Sequence, residues 1–176
     1  MSIAESLLPE FDVEMANTRK MLERVPEEKF DWSPHPKSGT LGWLAGHLSE
    51  MAQWTVLTMQ GESFDVAPKS GPAYQPPAPS KTRAQLLERF DQTAAAARQA
   101  IAQATDQQML ASWTLLREGQ EIFRMPRIAV LRTMILNHMI HHRGQLSVYL
   151  RLNDVPVPGL YGPSADEGQR IVGQAT

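Results

Sequence analysis

Proline limits the folding of this chain more than any other residue. Nearly all of its thirteen prolines fall in three clusters: Pro26, Pro34 and Pro36; Pro68, Pro72, Pro76, Pro77 and Pro79; and Pro156, Pro158 and Pro163. A proline inside a helix removes a backbone hydrogen bond and clashes with the preceding turn, so each cluster marks a connection. Four stretches almost free of proline remain, roughly 9–25, 40–60, 80–105 and 126–152. Each has the length and periodicity of a helix. The spacing therefore predicts an all-α chain, a four-helix bundle with at least one long connection; an irregular all-α domain is the alternative.

Local signals set the expected ends. Phe11, Met15, Thr18 and Leu22 form one stripe of the first stretch, with Pro9 in its first turn. Thr40 is placed to cap the second stretch. The third opens near Ser80 and is rich in good helix formers. The fourth begins at Pro126 and ends before Asn153-Asp154. Residues 61–79 form a Pro/Gly loop long enough for a lid or an overhand crossover. In 112–125, Glu118-Gly119-Gln120 separates two short apolar runs, which predicts a short β-hairpin before the last helix.

Composition narrows the function. The 176 residues suit a single domain, 1–176. A formal charge of −2 argues against a protein built to grip nucleic acid. The absence of cysteine removes disulfides, thiolate metal sites and thiol nucleophiles. Polar residues interrupt every apolar stretch, so no membrane span is expected. The N-terminus has no basic segment ahead of an apolar run, so no signal peptide is expected and the location is read as cytoplasmic. A small-molecule partner is what remains, and five histidines are the main chemical resource.

At about 100° per helical residue, His142 lies about 40° from His138, with Leu131 and Tyr149 about 20° away. This places both histidines in the apolar stripe of the fourth helix, with His141 on its edge beside Val130, Met134 and Val148. On the second stretch Trp43, Met51, Trp54 and Thr58 fall within about 40° of His47, which places it on an inward face. Buried imidazoles need partners, and a divalent metal supplies one. The H-x-x-x-H pair aims two ring nitrogens at one point, although the glutamate that follows the first histidine in zinc proteases is replaced by Met139. His47, His138 and His142 are thus the candidate metal ligands. His35, between Pro34 and Pro36, reads as a surface residue. Arg127, Arg132, Arg143 and Arg151 make the fourth helix basic; they read as a solvated face paired with acids of another helix, or in Arg143's case as a group that orients an anion. Glu50, about 60° off the His47 face, reaches the site only with a bent geometry.

The runs Gly42-Trp43-Leu44-Ala45-Gly46-His47-Leu48 and Leu136-Asn137-His138-Met139-Ile140-His141-His142-Arg143-Gly144-Gln145-Leu146, with the tail Leu160–Glu167, resemble the DinB/YfiT-like family. The resemblance runs over nearly the whole chain. It implies a four-helix bundle with an overhand connection and a three-histidine metal site at His47, His138 and His142. Relatives in that family include thiol-dependent enzymes, namely a mycothiol-dependent maleylpyruvate isomerase and bacillithiol S-transferases.

The expected function is a metal-dependent enzyme acting on a small molecule, of the thiol S-transferase type. A metal-dependent hydrolase and a non-catalytic metal-binding stress-response protein are the alternatives. The expected cofactor is a divalent metal, zinc or nickel first and iron or manganese next, together with a low-molecular-weight thiol. The last helix carries no carboxylate, so water or an exogenous anion is expected to complete the coordination under the 61–79 loop or the C-terminal tail. The apolar edge of the last helix predicts a homodimer.

Overall fold

Ser2 opens the first helix. Its hydroxyl accepts the Glu5 N–H and the Glu5 carboxylate accepts the Ser2 N–H, a reciprocal cap. The computed structural model describes residues 1–167. Helix α1 runs Ile3–Leu22, so Pro9 lies inside it and not in its first turn. The strong cap at Ser2 overrides the break expected at Pro9, which has no N–H to offer the Glu5 carbonyl.

The second stretch divides into α2 (Leu41–Glu50) and α3 (Gln53–Gln60). Thr40 caps α2 as expected, accepting the Trp43 N–H. The division has a visible cause. In an unbroken helix the Ser49 carbonyl would accept the Gln53 N–H; here it accepts the Thr93 hydroxyl at 2.9 Å. Thr93 lies on α4 (Arg83–Ala102), which Thr82 caps. A short α5 (Asp106–Leu110) follows.

The last stretch is α6 (Arg127–Val130), a π turn over Leu131–Leu136, then α7 (Asn137–Leu152). The π turn takes up an extra residue and shifts the helical phase. Val130, expected on an exposed edge, is buried as a result, whereas Met134 and Val148 remain exposed. Helices α1 and α2 each pack against α4 and α7. Between them lies a core that includes Leu7, Phe11, Leu48, Phe90, Ile101 and Leu146. Each such side chain contributes about 1.5–3 kcal/mol by leaving water.

The chain is mostly helical but is not all-α. Strand β1 (Ser63–Asp65) pairs parallel with β2 (Ser112–Arg117), which pairs antiparallel with β3 (Gln120–Pro126). The β2–β3 hairpin is the one expected; Glu118 and Gly119 both have positive φ, 54° and 77°, as a tight right-twisted turn requires. Strand β1 lies in the presumed Pro/Gly loop, and three residues are too few for alternation to be read in sequence. Its Asp65 carboxylate accepts the Glu118 and Gly119 N–H groups and locks the hairpin turn onto the sheet. No helix among the described residues is long and apolar enough to cross a membrane.

Candidate metal centre

His47 comes from α2, and His138 and His142 come from α7. One ring nitrogen of each lies within 4.8 Å of the other two. Ring centroids are 5.3 Å apart for His47–His138, 4.9 Å for His47–His142 and 4.5 Å for His138–His142. The three residues singled out in the sequence therefore meet, across 91 residues of chain for His47 and His138 (138 − 47).

They meet at a rim. The core face of α7 is Met139, Arg143, Leu146 and Leu150, centred about 110° from His138. The core face of α2 is Leu41, Leu44, Ala45 and Leu48, similarly offset from His47. All three histidines are half-buried. Trp43, expected inward, is exposed and stacks on His47 at 5.3 Å between centroids and 14° between planes. Gly39 allows this, since a Cβ there would meet Trp43 Cε3 at 2.4 Å.

Hydrogen bonding sets the tautomers. His142 Nδ1 lies 2.7 Å from Gln145 Oε1, while Gln145 Nε2 lies 3.0 Å from His141 Nε2. The Gln145 amide donates to His141, so its oxygen accepts the His142 Nδ1–H. The Met134 backbone carbonyl favours a proton on the His138 ring. A carbonyl only accepts, so that proton sits on the nitrogen facing Met134. The Nε2 atoms of His138 and His142 face each other at 2.8 Å, a hydrogen-bonding separation in which the donor depends on the tautomer.

A divalent ion bound by both nitrogens would displace a proton shared between them. A second proton is disfavoured there. Burial first, then the charge of neighbouring His47, lowers the His138 pKa; burial first also lowers that of His142. Both rings are held neutral, the form that ligates a metal. Three imidazoles at these separations suit a divalent ion, with nitrogen bonds of about 2.0–2.1 Å for zinc.

Two further groups complete the surroundings: Gln145, missed in the sequence, and Glu50, singled out there. Gln145, three residues beyond His142, was legible in principle from its i, i+3 spacing. Glu50 is closer than the wheel allows, with Oε1 3.9 Å from His47 Nδ1. His35 is exposed, as expected; its Nδ1 accepts the Lys37 N–H. His141 is exposed.

Arg132 and Arg151 are exposed and ion-paired, as a solvated basic face paired with acids elsewhere would have them; Arg127 and Arg143 are buried and depart from that expectation. Arg143 is committed elsewhere: it is 1% exposed, salt-bridged to Glu14 of α1 at 2.5 Å, and bonded to Thr18 and to the Tyr161 hydroxyl. It does not orient an anion at the histidines. Arg127 is buried and donates to the Thr58 and Gly61 carbonyls. Arg132 pairs with Glu10 and Arg151 with Asp166.

A family model described as the DinB superfamily matches residues 10–146. The chain belongs to the DinB superfamily. It is 30% identical over 169 residues to the uncharacterized protein YrdA of Bacillus subtilis (strain 168), covering 93% of this chain and 90% of that one. A DinB-like protein from Bacillus cereus ATCC 10987 has a similar crystal structure, with TM-score 0.69, 26% identity, and 91% and 98% of the two chains covered. A second DinB-like protein, YjoA of Bacillus subtilis, shares the fold at TM-score 0.63 and 15% identity, with 86% and 95% covered.

Proposed function

We propose that His47, His138 and His142 hold one divalent metal ion and that the centre serves a metal-dependent enzyme acting on a small molecule, of the thiol S-transferase type. The helical frame is read as a four-helix bundle in a single domain, with residues 61–79 as its overhand connection. The observation that carries the metal reading is the convergence of three imidazoles, two with Nε2 atoms 2.8 Å apart and one Nδ1 held by Gln145. When bound, the ion would act as a Lewis acid that makes a thiol or water nucleophilic at neutral pH. Three protein ligands leave room for one exogenous group. Gln145 fixes the His142 ring, Trp43 screens His47 from water, and Glu50 is placed to take the proton that a thiol sheds.

Glu50 also favours a second reading. A carboxylate beside a three-histidine site is the arrangement a hydrolase uses to take a proton from water. Cobalt substitution tests both. Under the transferase reading a small thiol produces a sulfur-to-cobalt charge-transfer band, lost in His142→Ala, and protein purified without a tag carries close to one ion per chain. A cobalt spectrum that no thiol perturbs removes the transferase in favour of the hydrolase or of simple binding. The homodimer is proposed on the exposed Met134 and Val148; light scattering that gives a monomer mass would remove it.

A further inference from the structure

Beside the histidines lies a pocket of about 170 Å³ whose wall includes both His47 and His138. Its remaining wall is almost wholly apolar. Met51 comes from the junction of α2 and α3, Trp54 from α3, Trp113 and Phe123 from the β2–β3 hairpin, and Val130 from α6. The hairpin, not the 61–79 loop or the C-terminal tail, is thus the roof. Residues 75–79 instead flank an open groove on the other side of His47, with Trp43 and Glu50.

The volume is close to the roughly 150 Å³ of an apolar cavity that accepts benzene. Two of the lining residues carry polar atoms that are buried without a hydrogen-bond partner among the described residues: Trp113 Nε1 and Thr58 Oγ1. Buried polar groups are nearly always paired, and an indole N–H can only donate. An occupant with an oxygen acceptor would satisfy it once a shift of the indole or a neighbour opens Nε1 to the pocket.

We infer that this pocket binds a compact apolar group of the substrate, the size of one aromatic ring and bearing an oxygen acceptor for Trp113 Nε1, with the rest of the substrate directed to His47 and His138. The inference rests on the proposed metal reading only for where the reactive end lies; the pocket itself is tested on metal-free protein.

The probes are phenol and toluene. Fluorotryptophan is incorporated and its four signals are assigned through Trp→Phe variants. Both probes should shift the Trp54 and Trp113 signals in fluorine NMR, with a Kd for phenol of about 1 mM, and leave Trp32 unmoved. Trp113→Phe should weaken phenol about five- to tenfold and toluene little, the signature of one lost hydrogen bond. Phe123→Trp, at a half-buried position, should block both probes; Val130→Phe should do the same if circular dichroism shows it folded.

No shift with either probe at about 10 mM overturns the inference, as does binding that survives Phe123→Trp. Equal loss of phenol and toluene in Trp113→Phe overturns the acceptor contact. A negative result here leaves the metal centre standing, whereas protein that binds the rings but no divalent ion fails the other reading alone.

Discussion

Two polar clusters tie α7 to the rest of the molecule, and they are built on opposite principles. In one, Arg143 is enclosed by Glu14, Thr18 and Tyr161, and the Tyr161 hydroxyl donates to the same carboxylate. Charge, donors and acceptors are matched within the chain. In the other, three imidazoles converge, with His142 held at Nδ1 by Gln145 and its Nε2 opposed to that of His138. The first cluster is complete as it stands; the second is the one proposed to take up a cation. Burial separates them too: Arg143 sits in the core face of α7, whereas the histidines occupy its rim, within reach of a ligand from solvent.

If the contrast holds, breaking the matched cluster damages stability and breaking the unmatched one damages binding. The largest effect is expected from Arg143→Ala, which strands the Glu14 carboxylate in the interior. A loss of about 3–5 kcal/mol in urea unfolding is expected, most of it recovered in the double variant Glu14→Leu/Arg143→Met, which removes both charges. A loss below about 1 kcal/mol would mean that the pair is effectively solvated.

Next is Gln145→Ala. It leaves His142 Nδ1 without its acceptor and should weaken divalent-metal affinity by about 10- to 100-fold in a chelator competition, with unfolding of the metal-free protein little changed. Equal affinity in the variant would show that the amide does not fix the ring.

Tyr161→Phe should cost about 1–2 kcal/mol, since the hydroxyl bonds to two charged partners at a partly exposed position. Metal affinity should not move. A drop in metal affinity would show that the two clusters are coupled through α7.

The smallest effect concerns pH. His138 and His142 have lowered pKa values in the folded chain, so below the usual value of about 6.5 the unfolded chain takes up their protons first. Stability of the metal-free protein should therefore fall as pH drops through 6.5 towards the folded-state values, and recover above it. The double variant His138→Ala/His142→Ala should lose that dependence in denaturant titrations at several pH values.

The candidate ligands were legible because histidine at i, i+4 on an apolar helix is a rare pattern, and a third histidine on a second such helix strengthens it. The face they occupy was not legible. Arg143 lies in the centre of the core face of α7, and a charged residue there makes the true interior look polar until Glu14, 129 residues away, is seen beside it. The break after Glu50 was hidden for a similar reason, because it depends on the Thr93 hydroxyl of another helix. Strand β1 depends on Leu116 and the hairpin turn for its partners, and nothing in Ser63-Phe64-Asp65 announces them. The capping signals at Thr40 and the turn at Glu118-Gly119 are local, and these were readable.

The pairing of Glu14 with Arg143 also sets an order of events during synthesis. At about 5–20 residues per second, a ribosome adds the 129 residues between them in about 6–26 s. Over that interval the nascent chain carries a carboxylate on the inner face of α1 with no guanidinium to meet it. Helix α4, made within that interval, pairs with α1 through Asp12 and Arg19, about 150° round the helix from Glu14, so docking the two leaves that charge in water. Burial of Glu14 is thereby deferred until Arg143 emerges, and the last helix closes the remaining flank of the first.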